Sequence, residues 1–335
     1  MRGDPPVIRV EKAGLFSTVQ DSGRPGWQYW GITVGGVMDS YSAAVANLLV
    51  GNTRDAAMLE ITLQGPRLHF ESGTWLAITG GDLSPELDGK PLPGWRPIWA
   101  PAGSRLSFGR PRLGCRAYLA VAGGISLPRV LGSRSTHTRA GFGGLEGRPL
   151  QEGDRLAFGA SALPIPRDPH RPLVPNWYVN ANAALPLEAP ARLRLIPAPD
   201  WTNLPRAGQR SLNSEAYRIG SLSDRMGLRL EGPPLPLPTS GERLSAGVTY
   251  GTLQLPPGGQ PIILGVDRQT TGGYPVLGTV ASVDQARLAQ LKPGDPVSFE
   301  AISVERAQAL YRARSHGLRR LQASLSLRWP RVGLI

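Results

Sequence analysis

Hydrophobic positions come in short bursts along this chain. The runs at 7–10, 15–19, 58–63, 75–79, 116–122, 192–196, 252–255 and 261–266 are four to seven residues long, and most are closed within a few residues by Gly, Pro, Asp or Asn. Such runs predict strands. A helical rhythm surfaces in three places. Behind Asp39, a cap, Tyr41, Ala44, Val45, Leu48 and Leu49 share one helical face, and Gly51 with Asn52 ends it. Ser282 and Gln285 have the spacing of a capping box opening a helix through Leu291, before the KPGD at 292–295 stops it. A third helix is predicted from 303 to about 316, with a break at Gly317.

A small echo recurs: GSRLSF at 103–108, GDRLAF at 153–158 and GDPVSF at 294–299. Each reads as a tight glycine turn feeding a half-buried strand, by internal duplication or by ordinary turn chemistry. Between the second and third lies a segment holding Pro164, Pro166, Pro169, Pro172 and Pro175, which cannot donate a regular ladder. The expected organisation is therefore an N-terminal half over 1–160, a proline-rich crossing over 161–190, a C-terminal half over 191–302 and an Arg-rich helix and tail over 303–335.

Composition sharpens this. With 42 Gly and 33 Pro in 335 residues, the chain is broken often, which favours many short strands over long helices. The formal charge of +12 invites a nucleic-acid reading, but 34 of the 37 basic residues are arginine and no aromatic-interleaved basic motif accompanies them. Half of the excess sits after residue 303, where Arg306, Arg312, Arg314, Arg319, Arg320, Arg328 and Arg331 face Glu305 alone. That face reads as solvated surface, so no nucleic-acid partner is expected. The lone Cys115 permits no internal disulfide and reads as a small buried hydrophobe. The first six residues lack a signal-peptide core, and no apolar run approaches the ~20 residues of a membrane span, so the expected setting is the cytoplasm, away from membranes.

The sequence carries no Walker-type loop, no GxGxxG and no GxSxG, and its four histidines lack metal-ligand spacing. No metal site is expected within the chain. Chemistry must then rest on Arg, Asp, Gln, Thr and backbone amides, and four glycine-punctuated segments offer them. Gln20, Asp21 and Arg24 sit in a turn after a strand, where Asp21 and Arg24 either meet a ligand or pair with each other. Arg134, Ser135, Thr136 and Arg139, beside the glycines at 141–144, suit an anion cradle, or form a flexible loop. Asp224 and Arg225 form a second turn whose pairing can be structural. Arg268, Gln269, Thr270, Thr271 and Tyr274 follow Asp267 and the apolar strand at 262–266, and Arg268, Gln269 and Thr270 are the expected ligand-facing members.

These segments carry a resemblance. TVQDSGR (18–24), GVMD (36–39), LEITL (59–63), AVAGG (120–124), LGSRST (131–136), GFGGLEGR (141–148), SDRMGL (223–228) and DRQTTGGYP (267–275) resemble the signatures of the allophanate hydrolase subunit 2 family, also called biotin-dependent carboxyltransferase-like, from about residue 7 to 299. The likeness is closest to the branch that holds the C subunits of bacterial 5-oxoprolinases. It implies a mainly β fold of two cyclophilin-like β-barrel halves with a few short helices. It also implies ATP-coupled, magnesium-dependent opening of 5-oxoproline to L-glutamate in a complex with the A and B subunits of 5-oxoprolinase, the B-like sister most directly. In that reading Asp21, Arg24, Asp267 and Arg268 are catalytic, with either aspartate as base or magnesium ligand. The arginines Arg24, Arg134, Arg139 and Arg268 would surround the developing phosphoryl charge and converge on one groove. Gln20, Ser135, Thr136, Gln269, Thr270, Thr271 and Tyr274 would bind the substrate. The same family holds two alternatives: the carboxyltransferase component of a biotin-dependent urea or amide carboxylase, and a non-catalytic regulator that binds a partner protein.

Overall fold

A computed structural model describes residues 5–214, 217–237 and 244–332. Residues 1–4 and 333–335, and the side chain of Arg331, belong to the expectations above but lie outside the described residues. The chain divides into two units: Met1–Gly23, Asp39–Pro186 and His316–Ile335 form the first, Arg24–Met38 and Leu187–Ser315 the second. All eight apolar runs are strands, and the protein is mainly β.

In the first unit the strands are β1 (Val7–Lys12), β2 (Phe16–Gln20), β3 (Met58–Thr62), β4 (Arg67–Phe70), β5 (Thr74–Asp82), β6 (Pro85–Leu87), β7 (Lys90–Pro91), β8 (Pro97–Ala100), β9 (Arg105–Phe108), β10 (Leu113–Val121) and β11 (Arg155–Ala157). They build a six-stranded sheet, β11-β1-β4-β9-β6-β7, and a five-stranded sheet, β2-β3-β10-β5-β8. Alternation decides what faces inward. Ile8, Val10, Leu68, Phe70 and Leu106 from one sheet, and Leu59, Ile61, Leu76, Ile98 and Leu119 from the other, share a single core. The helix α1 (Ser40–Leu49) is capped as expected, the Asp39 carboxylate accepting from Ser42 N at 2.8 Å. It is buried beyond its apolar stripe, so Ser42 and Asn47 are enclosed too. Thr79 Oγ1 donates to the Ser42 carbonyl, and Asn47 Nδ2 to that of Ala56. Two indoles strap the proline segment to this unit: Trp75 Nε1 donates to Pro164 O at 2.8 Å and Trp99 Nε1 to Pro169 O at 3.0 Å. A single helical turn, α2 (Ala181–Ala184), follows.

The second unit holds α3 (Pro199–Asn203), α4 (Arg206–Ser214) and the strands β12 (Ala191–Pro197), β13 (Tyr217–Ile219), β14 (Gly227–Glu231), β15 (Ala246–Gly247), β16 (Thr252–Gln254), β17 (Ile262–Leu264), β18 (Thr271–Gly272), β19 (Val276–Val280) and β20 (Pro296–Ala301). Seven of them close a barrel, β12-β19-β16-β17-β14-β13-β20, whose seam is the parallel pairing of β12 with β20. Leu193, Leu195, Ile219, Leu230, Leu253, Ile263, Val297 and Phe299 fill it. Arg192 and Arg194, the alternate positions of β12, point away from that core. Outside the barrel, β15 pairs with β18.

Two helix expectations are corrected. The capping box does not form. Ser282–Asp284 is a 3₁₀ turn without a side-chain cap, and only α5 (Gln285–Leu288) is α-helical. Gln285, which would reach back in a box, instead donates Nε2 to Tyr250 O. Gly317 breaks nothing, since α6 (Val304–Val332) runs through it. A helical glycine costs only ~1 kcal/mol against alanine. Packing beyond it outweighs that: Trp329 lies edge-on to Trp75 and Trp177, at centroid distances of 5.0 and 5.8 Å. Exposed along α6 are Arg306, Arg312, Arg319, Arg320 and Arg328.

The echo is one local structure used three times. Gly103, Gly153 and Gly294 all have φ of 86–90°. Each follows an i→i+3 bond frame: Ser104 N to Pro101 O, Asp154 N to Gln151 O, Asp295 N to Lys292 O. Each glycine N–H also donates to a carbonyl of a neighbouring strand, at Phe70, Val10 and Ile219. Glycine is needed because the third turn residue is left-handed.

Candidate functional site

Gln20, Asp21, Arg134, Ser135, Thr136 and Arg139 fall in the first unit. Asp21 leaves the end of β2 buried, and its carboxylate is saturated. Oδ1 accepts from Ser133 Oγ at 2.5 Å, Ser135 Oγ at 2.6 Å and Gly23 N at 2.8 Å, and Oδ2 accepts from Arg134 N at 2.6 Å. The cradle expected at 134–136 thus holds an anion of the chain itself. The Arg134 guanidinium turns to the Leu127 carbonyl. Gln20 donates to Thr18 and to the Thr136 carbonyl, and Thr136 Oγ1 to the Val19 carbonyl. The glycine-dense loop bonds to itself, Gly141 N to His137 O and Gly147 N to Gly143 O. Gly144 is obligatory, because a Cβ there would meet Thr136 Oγ1 at 1.9 Å. Arg139 is exposed.

Arg24, Asp267, Arg268, Gln269, Thr270, Thr271 and Tyr274 fall in the second unit, so the boundary passes between Asp21 and Arg24. Asp267 follows β17 into the interior. Its two oxygens receive Nε and Nη2 of Arg225 at 2.8 and 3.1 Å, and Arg225 Nη2 also reaches the Gly36 carbonyl at 2.7 Å. Arg225 therefore pairs with an acid 42 residues away. Its expected partner, Asp224, accepts instead from Met226 N and Gly227 N. Arg24 is 1% exposed. Its Nη1 and Asp267 Oδ1 lie 3.3 and 3.6 Å from where a Cβ on Gly35 would stand, so Gly35, at φ 62°, is the close approach that lets both fit.

A cavity of about 320 Å³ opens beside this buried pair's loop. Arg268, Gln269 and Thr270 line it, together with Thr249 of the β15–β16 connection and Gln28 and Thr33 of the 24–38 segment. Arg268 is half-buried, its Nε and Nη1 donating to the carbonyls of Val248 and Gly265, both at 3.2 Å. Burial pushes its guanidinium pKa down, against the smaller opposing pull of Tyr250 and Asp267. Thr33 is buried, and its Oγ1 has no hydrogen-bond partner among the described residues. Thr271 and Tyr274 are exposed beyond the cavity. Gln28 sits in a 3₁₀ turn, Gln28–Trp30, between Gly26 and Gly31, both left-handed. Sequence reasoning misses Gln28 and Thr33, and leaves Arg225 paired with the wrong acid. A polar residue flanked by glycine turns is a signal for Gln28; none marks Thr33. Among the described residues, no cluster of three or more His, Cys, Asp or Glu could hold a metal ion, and no helix is long and apolar enough to cross a membrane.

The carboxyltransferase domain family, subdomains A and B, matches residues 30–301. The chain is 41% identical to the C subunit of the Escherichia coli 5-oxoprolinase, over 90% of this chain and 93% of that protein. It is 32% identical to the Lachancea kluyveri urea amidolyase over 95% of this chain, but spans only 18% of that protein. Among solved structures, the K. lactis urea amidolyase superposes with a TM-score of 0.84 at 28% identity, covering 96% of this chain and 20% of that one.

Proposed function

The chain belongs to the carboxyltransferase domain family, subdomains A and B, and on that premise we propose that it is the C subunit of an ATP-dependent 5-oxoprolinase, which opens 5-oxoproline to L-glutamate. One observation carries the reading: the match to a 5-oxoprolinase C subunit covers 90% of this chain and 93% of that one, whereas the urea amidolyases match only as a fifth or less of a larger protein. The name of that relative makes it one subunit among several, which points to A-like and B-like partners for the remaining chemistry.

The geometry supports a division of labour. ATP with magnesium needs several cations, or an acid to hold the metal. Among the described residues, the cavity of the second unit presents one arginine and no carboxylate, so these residues do not fit that group. In this reading the nucleotide is held elsewhere in the complex. What this chain's residues do is bind and orient: Arg268 offers a cation fixed on two carbonyls, while Gln28, Thr249, Gln269 and Thr270 offer neutral donors and acceptors around it. The buried Arg225–Asp267 pair positions Arg268, because it anchors the residue next to it in the chain.

The test is co-expression with its A-like and B-like neighbours, followed by assay of glutamate and ADP release from 5-oxoproline. Release of both that depends on this chain is expected; turnover by the other subunits alone would sink the assignment. The family description and the K. lactis match favour a second reading, carboxyl transfer from carboxybiotin to an amide. Transfer of a labelled carboxyl from carboxybiotin to urea, giving free biotin and labelled N-carboxyurea, would select it.

A further inference from the structure

We propose that the cavity of the second unit is a subsite for one small carboxylate, held between the Arg268 guanidinium and the Thr33 hydroxyl; under the function proposed above, which this assignment rests on for the ligand's name, it takes the carboxylate of 5-oxoproline.

Three observations converge. First, Arg268 is the only charged residue among the described residues that line the cavity. Its two hydrogen bonds go to neutral carbonyls, and it makes no ion pair with any described residue. The nearest acid along the chain, Asp267, has both oxygens engaged by Arg225. A half-buried cation fixed in place but not neutralised favours an anion from solution, and burial already strains its charged form, as the lowered pKa records. Second, Thr33 is more than nine-tenths buried, lines the same cavity and has an Oγ1 without a partner among the described residues. Buried hydroxyls are rarely left so, and each such case asks for a ligand or water. A carboxylate supplies two acceptors, enough for one guanidinium edge and one hydroxyl. Third, the space limits the guest. About 320 Å³ lies at the small end of ligand pockets, and a single positive charge balances a single negative one. The remaining polar side chains are amides and hydroxyls, matched to the ring amide of a lactam acid and not to a polyphosphate.

Binding to the full chain, without its sister subunits, tests this by NMR titration and calorimetry. The probes are 5-oxoproline, 2-pyrrolidinone (the same ring without the carboxylate), cyclopentanecarboxylate (the carboxylate without the lactam) and ADP. Both acids should bind, with 2-pyrrolidinone weaker by about tenfold or more. Arg268→Gln should abolish the preference for acids, Arg268→Lys should retain part of it, and Thr33→Val should weaken both acids about threefold to tenfold. Far-UV circular dichroism checks that each variant is folded. If cyclopentanecarboxylate binds through Arg268 while 5-oxoproline does not, the carboxylate subsite stands and the oxoprolinase reading loses its support. The assignment itself is overturned by equal binding of 5-oxoproline and 2-pyrrolidinone, by an acid preference that survives in folded Arg268→Gln, by ADP displacing the acids from this cavity, or by neither acid binding at tens of millimolar.

Discussion

Replacing Asp21 by Asn separates a structural anion from a reacting one. The carboxylate receives three donors on Oδ1 and the Arg134 amide on Oδ2. An asparagine oxygen can keep the Oδ1 side, but its NH₂ then faces the Arg134 N–H, donor against donor. That orphaned, buried amide costs roughly 1–3 kcal/mol. The three surviving bonds lose their charge assistance and about half their strength, another ~1.5–3 kcal/mol together. The expected loss is about 3–5 kcal/mol, a large part of the ~5–15 kcal/mol that holds a typical domain. Urea denaturation, followed by fluorescence of Trp75 and Trp99 in the same unit, reads it directly. With a slope of ~2–3 kcal/mol/M the midpoint should fall by at least ~1 M. A variant within ~0.5 kcal/mol of wild type that nevertheless loses turnover in the assembled complex would refute the reasoning and return Asp21 to the chemistry.

Two further perturbations probe the first unit. Gly144→Ala should cost about 2–3 kcal/mol, from a left-handed alanine plus a displaced Thr136 hydroxyl. Gly132→Ala, at φ 83° with open space around its Cβ, should cost only about 1 kcal/mol; equal effects in denaturation would contradict the clash. Tyr118→Phe strands the Asp39 N–H and removes a donor from Glu60, for about 2–3 kcal/mol. Burial, then the charges of Glu60 and Asp39, hold the Tyr118 phenol well above its usual 10.0. The folded protein therefore keeps a proton that the unfolded chain gives up, so this stability is present below pH 10 and is lost as pH rises past it. Denaturant midpoints at about pH 8 and pH 10.5 should differ less in Tyr118→Phe than in wild type.

The strands, the Asp39 cap, the glycine turns and the mainly β class were all legible along the chain. They rest on short-range rules: a run of apolar residues, a hydroxyl or carboxylate at a helix start, a residue that tolerates positive φ. Arg268, Gln269 and Thr270 were legible too, since a polar stretch directly after a buried strand stands out locally. Partner choice was not. Asp21 and the loop at 133–135 meet across more than a hundred positions, and Arg225 passes over its neighbour Asp224 to take Asp267. By position the segment Arg24–Met38 goes with the first half, yet it belongs to the second unit, where it brings Thr33 and Gln28 to the cavity. Such matters are settled in the folded chain, because the energy of a buried charge or hydroxyl depends on whichever donor or acceptor the tertiary packing sets beside it, and separation along the backbone carries no record of that.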